Sequence, residues 1–211
     1  AVLRGLMNRC PNCGKGKLLR GYLGVPPECE VCHAPFGRYP AADGPADPII
    51  LPRGAKKVDG EVELAVVIER TAHCVPESDA MKFVAGYTVL NDVTDREAQK
   101  ADKQWFRAKS ADTFCPLGPC LVTPDEIKDP QNLRLYSSVN VRILQDSNTA
   151  AMIFKIARLI SFASAAITLE PGDIIATGTP GGIGSAHEPP ILLKPGDLVE
   201  TVVEGVGAQR A

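Results

Sequence analysis

From Pro48 onward the chain is punctuated at short intervals by turn signals, and most of the runs between them are short and of β type. Two of these signals are near copies, Glu170-Pro171-Gly172-Asp173 and Lys194-Pro195-Gly196-Asp197. In each, proline pre-sets the φ of the first turn residue and glycine supplies a positive φ. A chain broken this often cannot build a helical bundle. The 19 glycines and 18 prolines, set against 5% aromatic residues, agree with a β-rich mixed α/β fold.

The individual runs follow from their composition. Val62–Ile68 is apolar and β-branched, and predicts a buried strand. Residues 83–93 predict a second strand, and residues 133–143 alternate apolar and polar as a half-buried strand would. Residues 174–177 and 198–203, each after a Pro-Gly-Asp turn, complete the set. A helix is predicted over 149–164, where Ile153, Ile156, Leu159 and Ile160 recur at helical spacing. A short polar helix is predicted over 95–103. The most apolar stretch, 150–169, contains Lys155 and Arg158, so it reads as an amphipathic helix and not as a membrane span. With a net charge of −2 and no secretory signal, the expectation is a cytoplasmic protein with no global attraction to nucleic acid or membrane.

Seven cysteines divide into two groups. Cys10, Cys13, Cys29 and Cys32 form two C-x-x-C knuckles, which supply four thiolates, the usual closed tetrahedral set for structural Zn²⁺. Cys74, Cys115 and Cys120 stand in apolar surroundings and are expected to be buried, reduced thiols. Residues 1–20 carry Arg4, Arg9, Lys15, Lys17 and Arg20 and no acid. No aromatic platform is interleaved, so these read as a solvated face and nucleic-acid binding is not expected. A seam near residue 47 divides the chain into a zinc-ribbon-like segment, 1–47, and a main domain, 48–211.

Chemistry-bearing residues cluster in the main domain. Glu61 and Glu63 are two apart at the mouth of an apolar strand, so their side chains share one face. Asp92 ends a second apolar run, YTVLNDVT. On residue types alone, two readings stand: exposed acids at strand ends, or three carboxylates converging on an oxygen-loving divalent cation. Arg96, Gln99 and Lys109 lie close by in sequence, and TGTPGGIG (177–184) is a glycine-rich turn without the P-loop arrangement.

The segments EVELAVVI, VAGYTVLNDVTDREAQ, QWFRAKSADTFCPLGPCLVT, DEIKDPQNLRL, NTAAMIF and ITLEPGDIIATGTPGGIG together resemble, in order and spacing, the fumarylacetoacetate hydrolase family over roughly residues 47–207. The resemblance implies a β-roll core, usually in a homodimer. It implies Mg²⁺ or Mn²⁺ held by Glu61, Glu63 and Asp92, with Arg96 and Gln99 near the substrate. Lys109 is implied to contact substrate oxygens, and Thr179 a substrate carboxylate. The implied activity is hydrolysis, decarboxylation or isomerisation of small 2-oxo or 1,3-dicarbonyl acids; the alternative is an impaired scaffold whose ribbon binds protein or nucleic acid. The N-terminal segment is similar to a small bacterial family of uncharacterised zinc-ribbon proteins.

This sequence departs from the family pattern in named places. It contains no H-x-x-E segment, which in the C–C hydrolases provides the general base. Glu69 stands where the family has a turn glycine, Ala111 replaces an aromatic after Lys109-Ser110, and the hairpin Val139-Asn140-Val141-Arg142 lacks its glycine.

Overall fold

The computed structural model describes residues 30–31 and 44–211. The cysteine knuckles of the expected zinc ribbon lie outside the described residues, as does His33. The chain's second compact unit runs Ala42–Ala211. Pro45 already belongs to it, since its carbonyl accepts the Arg210 N–H at 2.9 Å.

Ten strands and three α-helices make up this unit, in the order β1 (Val58–Asp59), β2 (Val62–Ile68), β3 (Val84–Asn91), β4 (Thr94–Asp95), α1 (Arg96–Asp102), α2 (Phe106–Lys109), β5 (Leu117–Val122), β6 (Arg134–Val139), β7 (Arg142–Asn148), α3 (Ile156–Ala166), β8 (Ile174–Ala176), β9 (Val199–Val203) and β10 (Gly207–Arg210). They form two four-stranded antiparallel sheets, β5-β3-β2-β8 and β10-β9-β6-β7, and a small β1–β4 pair. The β-rich fold expected from the turn signals is thus observed.

Strand β2 is central and buried on both faces, which is why it reads as an almost unbroken apolar run. Its even positions Val62, Leu64, Val66 and Ile68 enter the main core. There they meet Tyr87 and Val89 of β3, Leu135 of β6, Val203 of β9, and Ile156 and Ile160 of α3. A second core gathers Val58, Val93, Phe114, Val139, Leu193 and Val199.

Two buried glutamines join the sheets. Gln145 on β7 accepts the Val62 N–H at 3.1 Å. Gln209 on β10 donates to the carbonyls of Val89 at 2.9 Å and Pro116 at 3.0 Å. Such bonds leave few buried polar groups unpaired where two sheets meet. Both Pro-Gly-Asp turns close in the same way: Asp173 accepts the Glu170 N–H at 2.7 Å and Asp197 the Lys194 N–H at 2.8 Å. The turn aspartate is therefore a structural acceptor.

Three expectations need correction. The run 133–143 is not one strand but most of the β6–β7 hairpin, whose turn residues Asn140 and Val141 take φ of 49° and 65°. The helix expected from residue 149 begins only at Ile156. Thr149–Ala151 is a separate 3₁₀ turn capped by Asn148, and the Thr149 hydroxyl is committed to Leu133 and Pro130. Such local side-chain bonds compete with helix formation, and they leave Ile153 outside the helix and exposed. The short helix, by contrast, lies where it was expected, with Asp95 as its N-cap and Lys103 in the left-handed region as its C-cap. Finally, Cys74 and Cys120 are exposed and Cys115 half-buried. Cys74 lies in a loop at φ 51°, and Cys120 sits on the edge strand β5, where neither is covered.

Candidate active site

The register of β2 against β3 builds the site. Val62 lies opposite Asn91, and the Asp92 N–H continues the ladder by donating to the Glu61 carbonyl at 2.9 Å. Glu61 and Asp92 thus become cross-strand neighbours on the face that also carries Glu63, opposite the core face. Cross-strand pairs bring Cβ atoms to about 5 Å, and ligand oxygens of all three carboxylates lie within 4.8 Å of one another.

Two cations reach this group from helices. Lys109, the last residue of α2, points Nζ between the acids: it donates to Glu61 at 3.1 Å, to Asp92 in a shorter bond, and to the Thr94 hydroxyl at 3.1 Å. Arg96, the first residue of α1, donates through Nε to Asp59 at 2.5 Å and through Nη1 to Gln99 at 3.2 Å. Its Nη2 lies 2.7 Å from Glu61, a charge contact without hydrogen-bond alignment.

Glu63 is met differently. Among the described residues its side chain has one hydrogen bond, accepted from the Gly178 N–H at 2.8 Å. Burial pushes its pKa up to about 7; that bond lowers it, and the charges of Asp92 and Glu61 raise it further. Asp92 is also raised by burial, against the opposing pull of Lys109. Burial lowers Lys109, but its bond to Asp92 and the charges of Asp92 and Glu61 more than offset this, so it stays cationic.

The glycine-rich turn continues the edge of β2. After β8 ends, the Thr177 hydroxyl donates to the Leu64 carbonyl at 2.7 Å and the Thr179 hydroxyl to the Val62 carbonyl at 2.9 Å. Threonine side chains here stand in for ladder bonds, while Gly178, at φ 96°, turns its N–H to Glu63. A Cβ on Gly182 would stand 2.5 Å from the Leu144 carbonyl oxygen, so the turn needs glycine there for close approach. Thr179 also accepts from Gln145 at 2.8 Å and lines a cleft of about 390 Å³ with Leu135, Met152 and Phe154.

The structure therefore brings Glu61, Glu63, Asp92, Lys109 and Arg96 together, with Gln99 reaching the group through Arg96. Thr179 is tied to the backbone of β2. Four participants were not singled out from sequence. Asp59 holds Arg96, Asn91 accepts the Glu61 N–H at 3.0 Å, Thr94 receives Lys109, and Gln145 orients Thr179. Asp59 had a visible signal, because Asp59, Glu61 and Glu63 alternate. Nothing in sequence marked Gln145.

An all-oxygen set of three clustered carboxylates suits hard divalent cations such as Mg²⁺ and Mn²⁺. Burial is the main cause of the raised pKa of Glu63, and the neighbouring charges of Asp92 and Glu61 add to it. The residues fit the metal.

Fold and site define a family, and the chain belongs to it: residues 30–211 match the fumarylacetoacetate (FAA) hydrolase C-terminal family. An oxaloacetate tautomerase of Bos taurus, a mitochondrial protein, is 50% identical over 175 residues, covering 82% of this chain and 56% of the relative. Among solved structures, a 5-carboxymethyl-2-hydroxymuconate delta-isomerase from Mycobacterium smegmatis superposes with a TM-score of 0.73 at 45% identity, covering 79% of this chain and 62% of that one. A maleylpyruvate hydrolase from Sphingobium sp. SYK-6, in complex with manganese(II) and pyruvate, gives 0.70 at 38% identity, covering 80% and 59%. The chain spans somewhat over half the length of these relatives. Among the described residues, no helix is long and apolar enough to cross a membrane.

Proposed function

We propose that this chain carries the metal-dependent site of an enzyme acting on small 2-oxo or 1,3-dicarbonyl acids, by hydrolysis, decarboxylation or isomerisation. The observation that carries the reading is the convergence of Glu61, Glu63 and Asp92 within 4.8 Å beside two fixed cations. The manganese(II) and pyruvate bound by the maleylpyruvate hydrolase support both the metal and the oxo-acid class. Two of the three relatives are, by name, a tautomerase and an isomerase.

In this reading Glu61, Glu63 and Asp92 hold Mg²⁺ or Mn²⁺, which supplies Lewis-acid polarisation of the substrate's oxo-acid oxygens. In the metal-free site Asp92 and Glu61 favour the protonated form of Lys109, which offers charge and a donor to an oxygen gaining negative charge. Arg96 fixes one side of the acidic group and Gln99 braces Arg96. The turn at Thr179 closes the other side and contributes backbone to a substrate carboxylate. The resemblance also implies a homodimer, and the two C-x-x-C knuckles imply a zinc site at Cys10, Cys13, Cys29 and Cys32.

The test is turnover of oxaloacetate and acetylpyruvate with added Mg²⁺ or Mn²⁺. The expected result is metal-dependent turnover of at least one of the two acids, abolished by chelator. Metal binding without turnover of either acid would contradict the reading and leave an inert scaffold.

A further inference from the structure

Asp59 is as deeply buried as any core residue of β2, yet it is charged. Its two oxygens are fully committed: one accepts Arg96 Nε at 2.5 Å, the other the Ser185 N–H at 2.7 Å. Ser185 belongs to the 3₁₀ turn Gly184–Ala186, directly after the glycine-rich turn that supplies Gly178 and Thr179. The packing there is tight, since a Cβ on Gly184 would lie 3.1 Å from the Asp59 Cβ.

The consequence falls on Arg96. With Nε held by Asp59 and Nη1 by Gln99, the guanidinium plane is fixed, and Nη2 approaches Glu61 to 2.7 Å without a hydrogen-bonding alignment. An arginine free to rotate would make the bidentate fork that guanidinium and carboxylate prefer. That fork would occupy the oxygens of Glu61 that a cation needs.

We propose that Asp59 is a positioning residue that limits Arg96 to a single contact with Glu61, in place of a bidentate fork, and so leaves that carboxylate more open to a divalent cation. The same contacts anchor the end of the glycine-rich turn, so one buried carboxylate sets two sides of the site. This inference rests on the metal reading above.

The experiment is a double-mutant cycle on Mn²⁺ affinity, measured by electron paramagnetic resonance or calorimetry, with Asp59→Asn and Arg96→Gln. Asparagine still accepts from Ser185 but releases Arg96. The expected result is an Mn²⁺ Kd about tenfold weaker in Asp59→Asn, as for loss of other contacts that orient a ligand. In the Arg96→Gln background the same substitution changes Kd by no more than about twofold, the limit for uncoupled sites. An unchanged Kd in Asp59→Asn, or an equal loss in both backgrounds, overturns the proposal. If Asp59→Asn does not fold, the double variant, which buries no unpaired charge, decides the matter. A Kd within about twofold of wild type supports the restraint, and a Kd about tenfold weaker overturns it. Wild type that binds no Mn²⁺ defeats the metal reading itself, whereas binding without the coupling defeats only the role of Asp59.

Discussion

The two faces of β2 are equally buried and do opposite things. On one, Val62, Leu64, Val66 and Ile68 interlock with the second sheet and α3. On the other, Glu61 and Glu63 hold charge where charge is costly. The first face stabilises the fold; the second spends part of that stability on a site. Even within the acidic face the two glutamates differ. Glu61 meets Lys109 and Arg96, while Glu63 has one backbone N–H and the raised pKa of a buried acid short of positive charge. In the proposed site a divalent cation would supply the positive charge beside Glu63.

Substitutions can sharpen this contrast. The largest effect is expected from Glu63→Gln: kcat/KM for oxaloacetate falls by about 100-fold or more, beyond the usual cost of losing a contact that merely orients a ligand. Thermal unfolding of the metal-free variant at pH 8 should nevertheless occur at higher temperature than in wild type, because a buried charge is gone. A simultaneous loss of stability would break the contrast. On the core face, Leu64→Ala should cost about 2–5 kcal/mol in denaturant unfolding, while the Mn²⁺ affinity of the folded fraction is retained.

The pH dependence has a defined sign. The folded pKa of Glu63, about 7, exceeds its ordinary value of 4.5. Its contribution to metal-free stability is therefore present below 4.5 and lost as pH rises through about 7. Metal needs the deprotonated form, so Mn²⁺ affinity should weaken by about tenfold between pH 8 and pH 6, and the metal-induced rise in Tm should be larger at pH 8. Equal affinity at both values would show that no ligand of the site titrates between them.

The smallest effect lies away from both faces. Val141 holds a φ of 65° at an exposed hairpin turn, where a β-branched residue is strained. Val141→Gly should stabilise by about 1 kcal/mol, read as a higher denaturant midpoint with turnover unchanged.

Much of this was legible in sequence, and the reasons are local. Strand β2 announced itself because both its faces are buried, and α1 because Asp95 and Lys103 mark its ends. The carboxylates were visible through period-two spacing, but their convergence was not: it depends on Asp92 falling opposite Glu61, a register that only the paired strands fix. Gln145 and Gln209 were invisible because a buried glutamine that joins two sheets looks, in sequence, like any surface glutamine. The false helix start at Thr149 came from reading apolar spacing without the competing bonds of Asn148 and Thr149.

The central claim is that Glu61, Glu63 and Asp92 form one divalent-cation site. It is tested most directly by titrating the metal-free chain with Mn²⁺ at pH 8 and counting bound ions by electron paramagnetic resonance. The account predicts one ion bound at this site, lost in Glu63→Gln. Mn²⁺ binding equal in wild type and variant, or absent from both, would contradict it.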